Sequence, residues 1–162
     1  MANPFFIVGL PRSRTAWFAE YFTAMGHKCH HEFLKHCKSR DDFYNEMGKG
    51  VGDSDCMLSL TNFQEKFPSA PTLIVHRPIG SIMKSAEKLG IDASKDLLVI
   101  LNSINKNLLG LHVDFSDIDS KLREISYFLV GDFHQEVANK FIGTNIQNPI
   151  TGSVESVNIW RN

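Results

Sequence analysis

Phe5-Phe6-Ile7-Val8-Gly9-Leu10-Pro11-Arg12-Ser13-Arg14-Thr15-Ala16-Trp17-Phe18 changes character twice within a few residues. Residues 5–8 are all apolar, two aromatic and two β-branched, the composition of a strand buried on both faces inside a parallel sheet. Gly9 ends that run. Phe18, Tyr21, Phe22 and Met25 then recur at i, i+3, i+4 and i+7, the stripe of a helix packed on the sheet, and Gly26 supplies its stop. The unit reads as strand, tight loop, helix. Such a loop aims backbone N–H groups out of the helix mouth, where the macrodipole adds positive potential. Arg12, Ser13, Arg14 and Thr15 add two guanidinium forks and two hydroxyls, so the expected ligand is a phosphate or sulfate group.

The loop is not a Walker loop. The pattern G-x-x-x-x-G-K-[ST] counted from Gly9 requires Gly at 14 and Lys at 15, where the chain has Arg14 and Thr15. Instead, Pro11-Arg12-Ser13-Arg14-Thr15-Ala16-Trp17 resembles the P-[KR]-S-G-T-T-W loop of sulfotransferases. The resemblance implies a P-loop-like fold in which Pro11, Arg12, Ser13, Arg14, Thr15 and Ala16 hold the 5′-phosphosulfate of 3′-phosphoadenosine 5′-phosphosulfate (PAPS), with Arg12 also serving catalysis. Arg14 stands where the family has glycine, and its side chain would either crowd the anion or grip it. The plain alternative is a basic turn that binds nothing.

A second stretch adds to the resemblance. Thr72-Leu73-Ile74-Val75 reads as another buried strand, Pro78 suits a helix's first turn, Ile79, Ile82, Met83 and Ala86 form an inner face, and Gly90 ends the helix. Arg77 is therefore expected at the carboxyl end of a strand, the edge where open α/β sheets bind ligands. Sulfotransferases follow such a strand with an Arg and, eight residues on, a Ser, which together hold the 3′-phosphate. Arg77 and Ser85 have this spacing, although Pro78 follows Arg77 directly where the commoner pattern has one residue between. His76 and Lys84 are the other register.

Between these stretches, residues 27–37 hold four of the seven histidines and two of the three cysteines. Cys29, His31, His36 and Cys37 are the candidate ligands of a zinc site, but adjacent His36 and Cys37 are awkward joint ligands and no C-x-x-C pairing stands out, so no metal is expected. The resemblance offers another role. Short sulfotransferase-like proteins often have a second strand ending in a His-Glu pair whose carboxylate faces the sulfuryl group, and His31-Glu32 stands at that place. Glu32 is the expected general base and His31 its competitor; on an extended strand only one of the two would face the donor. The plain alternative for Glu32 is an exposed carboxylate at a helix start.

Elsewhere, Ser39 and Asp42 read as a capping box before a short helix that buries Phe43 and Met47. Gly50-Val51-Gly52-Asp53-Ser54-Asp55 reads as a strand end or turn near which a ligand would approach closely, or simply as an Asp/Ser turn. Leu60, Phe63 and Phe67 suggest a helix closed by Pro68. Leu97, Leu101, Ile104 and Leu108 suggest the inner face of another, capped by Asp92 or Ser94. Leu111, Val113 and Phe115 alternate as a strand, Leu122, Ile125 and Leu129 mark a helix ending at Gly131, and Val137 and Phe141 a last short one.

Strand and helix thus alternate, and the expected fold is α/β, three-layered, with a central parallel sheet of four or five strands, of the P-loop NTPase-like sulfotransferase kind. One domain is expected over residues 1–144, with an irregular tail over 145–162 in which Trp160 tucks back. A formal charge of −1 gives no general electrostatic reason to bind nucleic acid or anionic membrane, so the expected partner is a small-molecule acceptor. The start lacks a leader pattern, no run approaches the roughly 20 apolar residues of a membrane helix, and three cysteines suit a reducing compartment, so a cytosolic protein is expected.

The leading functional expectation is a PAPS-dependent sulfotransferase acting on a hydroxyl or amine. A non-catalytic protein that binds 3′-phosphoadenosine nucleotides is the alternative, favoured by a chain shorter than family members generally are. A small-molecule kinase is disfavoured by the missing Walker lysine.

Overall fold

The computed structural model describes residues 3–146, and Trp160 with most of the expected tail lies outside them. Five strands form one sheet: β1 (Phe6–Gly9), β2 (Cys29–His31), β3 (Gly52–Asp55), β4 (Thr72–His76) and β5 (Leu111–Asp114). Their order is β2-β3-β1-β4-β5 and every pairing is parallel. The helices among the described residues are α1 (Thr15–Ala24), α2 (Arg40–Met47), α3 (Phe63–Lys66), α4 (Ile79–Lys88), α5 (Lys95–Asn105), α6 (Ile118–Val130) and α7 (Gln135–Phe141).

This order decides which helix covers which face. Crossovers between parallel strands are right-handed, so connections running in opposite directions along a sheet lie on opposite faces. The step from β1 to β2 runs one way; those from β2 to β3, β3 to β4 and β4 to β5 run the other. Phe5 and Ile7 accordingly pack with Phe18, Tyr21 and Phe22 of α1 and with Leu122 and Ile125 of α6. Phe6 and Val8 face the opposite way, onto Phe43 and Met47 of α2 and Phe63 of α3. The result is a three-layer α/β sandwich. Leu10, at the start of the loop after β1, packs on Ile82 of α4 and Leu98 and Leu101 of α5, which ties the loop to the region beyond β4.

The capping box forms as read: the Asp42 amide donates to Ser39 Oγ at 3.2 Å and the Ser39 amide to Asp42 Oδ2 at 3.1 Å. Two elements differ from expectation. Residues 52–55 form neither a strand end nor a turn but a strand inside the sheet, with all four residues buried. Gly52 is required there, because a Cβ would sit 2.2 Å from the Phe5 ring. The buried face of α5 carries Leu98, Leu101 and Asn105, while Leu97 is 42% exposed. Leu97, Leu98, Val99, Ile100 and Leu101 are consecutive apolar residues, so periodicity alone does not fix which of them turns inward. Leu60, read as an inner helical residue, is exposed in the turn before α3.

Candidate functional site

Connections from β1 and β4, which are neighbours, leave in opposite directions, and a crevice opens at the carboxyl edge between such strands. The loop of residues 10–14 fills one side of it. Gly9 allows the loop to fold tightly over the strand end, since a Cβ there would stand 3.1 Å from the Ser13 Cβ. Arg12 and Arg14 both adopt left-handed backbone, φ 68° and 65°, a conformation that costs a residue with a side chain on the order of 1–2 kcal/mol. The loop then delivers the chain into α1, whose first helical bond runs from the Phe18 amide to the Arg14 carbonyl. The amides of the first turn therefore lack intrahelical acceptors, no side chain caps them, and no acidic residue stands in that turn.

The second predicted stretch meets this loop. Arg12 Nε donates to Ser85 Oγ at 3.0 Å, and the Arg77 guanidinium donates to the Arg12 carbonyl while lying 4.1 Å from the Phe115 ring centroid. Arg77 and Ser85, rather than His76 and Lys84, thus reach the loop. His76 Nε2 instead lies 2.7 Å from His112 Nδ1, and Lys84 borders a separate hollow with Met83 and Glu87. Arg77 Nε and Ser13 Oγ are buried without a hydrogen-bond partner among the described residues.

Charge around the loop is unevenly neutralised. Arg14 reaches Asp119 on α6 at 2.5 Å, with its guanidinium carbon 5.2 Å from the Trp17 ring centroid. The Arg14 side chain is thereby anchored to α6. Among the described residues no carboxylate pairs with Arg12 or Arg77. Burial pushes the Arg12 guanidinium below its ordinary range, and burial together with the charges of Arg12 and Arg14 does the same to Arg77. Both cations are held where an anion would relieve the cost of desolvation and mutual repulsion.

A cavity of about 300 Å³ opens in front of the loop. Pro11, Arg12, Arg14, Thr15, Ala16 and Trp17 line one side, Ile82, Ala86, Ile91 and Ala93 an apolar wall, and Thr144 to Ile146 close it. His31 and Glu32 both line it as well. The expectation that only one of them would face this side assumed extended backbone. β2 ends at His31, and Glu32 turns into left-handed backbone, φ 52°, which breaks the alternation.

His31 Nε2 stands 3.3 Å from Thr15 Oγ1 and 3.9 Å from Glu32 Oε1. Burial, only partly offset by the Glu32 charge, holds the imidazole below its ordinary range and therefore neutral at pH 7. Burial pushes the Glu32 carboxyl upward, but the hydrogen bond and charge of Lys35, with the His31 ring beside them, outweigh it, and Glu32 lies below the usual carboxylate range. Both groups are thus in a form that accepts a proton.

Behind Glu32 lie Asp53 and Asp55 of β3, both essentially inaccessible to water. Burial, aided by the Asp55 charge, pushes Asp53 up to about 8. An unfolded aspartate titrates near 3.9, so the folded state holds the proton more tightly, and stability falls as pH rises from about 4 towards 8 by at most about 1.4 kcal/mol per pH unit. Asp53→Asn should flatten that slope. The variant is expected to melt above the wild type at pH 8 and close to it at pH 4.5; parallel melting profiles over this range would refute the assignment.

Among the described residues no group of three or more His, Cys, Asp or Glu is arranged to hold a metal ion, and no helix is long and apolar enough to cross a membrane. Cys56 approaches Glu32 Oε1 at 3.8 Å, but burial and the neighbouring carboxylates push its thiol up to about 12, which removes it as a nucleophile. No protein-family model and no curated protein sequence matches the chain.

Proposed function

We propose that this protein has a P-loop-like sulfotransferase fold, binds PAPS, and transfers its sulfuryl group to a hydroxyl or amine of a small-molecule acceptor. The observation that carries this reading is the meeting of two separate basic stretches at the β1/β4 crevice, where Arg12 bonds Ser85 and Arg77 bonds the Arg12 carbonyl with no carboxylate among the described residues neutralising either arginine. The family resemblance of both stretches makes the anion a phosphosulfate at the loop and a 3′-phosphate near Arg77 and Ser85. Ser85 Oγ accepts from Arg12 and keeps its own proton to donate.

In the reaction the bond between sulfur and the bridging phosphate oxygen breaks, and a bond from the acceptor oxygen or nitrogen to sulfur forms. Negative charge gathers on the departing oxygen, where Arg12 and the first-turn amides of α1 would stabilise it. The acceptor's proton passes to Glu32, or to His31, and 3′-phosphoadenosine 5′-phosphate (PAP) is released.

A second reading, binding of the nucleotide without turnover, is favoured by one observation: the Lys35 ion pair lowers the proton affinity of Glu32 and so weakens it as a base. Turnover with a range of alcohols and amines separates the two.

Titration with PAP beside ATP, AMP and sulfate tests the nucleotide itself. At a hundred times its dissociation constant PAP should stabilise the fold by about 2.7 kcal/mol. A thermal shift with ATP and none with PAP would overturn the reading and favour a kinase.

A further inference from the structure

The buried carboxylates of β3 contradict the ordinary chemistry of a central strand, where aspartate is depleted and an unpaired buried charge is expensive. Such local violations concentrate at functional sites. Asp53 and Asp55 stand in register with Phe6 and Val8 of β1, so their side chains share the α2 face, and each carries acceptor oxygens that the sheet does not use. What they hold is the main chain that leaves β2. The Glu32 amide donates to the Ser54 carbonyl at 3.0 Å, and the Phe33 amide donates to Asp53 Oδ1 at 3.2 Å. Asp55 Oδ1 accepts from the Met57 amide at 2.7 Å, and the Leu34 backbone stands close enough to draw the Asp55 carboxyl downward.

Ser54 and Asp53 thereby grip Glu32 and Phe33, with Asp55 beside Leu34, and Glu32 sits at the one left-handed position of the turn. A residue with a Cβ adopts that conformation only when its surroundings over-determine it. Around Glu32 those surroundings are Asp53, Ser54 and Asp55. Without them the chain would be free to continue extended past His31, which would carry the Glu32 side chain to the other face of the sheet from the His31 imidazole.

Resting on the proposed role of Glu32, we infer that Asp53 and Asp55 are positioning residues that hold Glu32 in its left-handed turn and so keep its carboxylate in the cavity beside His31. They touch neither donor nor acceptor. They act through the amides of Phe33 and Leu34, and what matters is an acceptor oxygen at each position.

The test uses the full chain with Asp53→Ala, Asp55→Ala and the conservative Asp53→Asn and Asp55→Asn. Hydrogen exchange at the Glu32, Phe33 and Leu34 amides is followed by NMR, with PAP affinity by calorimetry and turnover as PAP released from PAPS with simple alcohols and amines. The alanine variants should exchange at these amides at least about tenfold faster, with β1 and β4 amides unchanged. Turnover should fall with PAP affinity intact, and the asparagine variants, which keep an acceptor oxygen, should restore both protection and turnover. Unchanged exchange at residues 32–34 in folded alanine variants would overturn the inference. Should an alanine variant fail to fold, the asparagine variants decide, because loss of Phe33 or Leu34 protection in them refutes a role carried by the acceptor oxygen. Exchange needs neither donor nor acceptor. Absent turnover in the wild type, with protection at residues 32–34 still lost in the alanine variants, therefore counts against sulfuryl transfer and leaves the positioning intact.

Discussion

Glu32→Gln should slow sulfuryl transfer by about 10²–10⁴-fold while PAP binds as before. The amide keeps the size and hydrogen-bonding reach of the carboxylate but does not accept a proton from an acceptor hydroxyl as it bonds to sulfur. Glu32 lines the cavity with His31, and its carboxylate is already ionised well below neutral pH. His31→Asn is the necessary companion. The neutral imidazole stands nearer the loop through Thr15, so a collapse of turnover in the asparagine variant with normal turnover in the glutamine variant would transfer the role to His31. Loss in both would make the pair a single relay. Full activity in both would leave an anion-binding fold and remove Glu32 and His31 from the mechanism.

The second large effect is expected at Arg77. A charge-assisted hydrogen bond contributes on the order of 1.5–3 kcal/mol, so Arg77→Ala should weaken PAP by roughly 10- to 100-fold. AMP, which lacks the 3′-phosphate, should lose little. The structure sharpens this test, because Arg77 also donates to the Arg12 carbonyl and so supports the loop itself. Calorimetric titration of both nucleotides against wild type and variant separates the roles. Equal losses for PAP and AMP would mean that Arg77 shapes the loop and does not read the 3′ position.

Much of the fold was legible because its signals are local. Four apolar residues before Gly9, the stripe of α1, the Ser39-Asp42 box and the run before Arg77 each follow from neighbours a few residues apart. β3 was not legible. Asp53 and Asp55 have no strand preference of their own, and their burial is tolerated because backbone amides reach them, that of Phe33 from another segment for Asp53 and that of Met57 just beyond the strand for Asp55. The face of α5 was equally hidden, since its apolar residues run all the way round and only the packing of Leu98 and Leu101 on Leu10 selects a side.

By itself the sequence determined that a basic strand-loop-helix unit exists, that a second basic strand end follows, and that a parallel α/β sheet joins them, because hydrophobic periodicity and turn chemistry are short-range properties. Tertiary structure alone decided three things. It placed β4 beside β1, so that Arg77 and Ser85 meet Arg12. It drew Arg14 to Asp119, 105 residues away, which leaves Arg12 and Arg77 as the cations of the site that no carboxylate among the described residues neutralises. It turned Glu32 into left-handed backbone, and so brought it into the cavity with His31, through hydrogen bonds to β3. Each of these depends on strand order or on the sign of a single φ, and both are set by contacts between segments that no local pattern encodes.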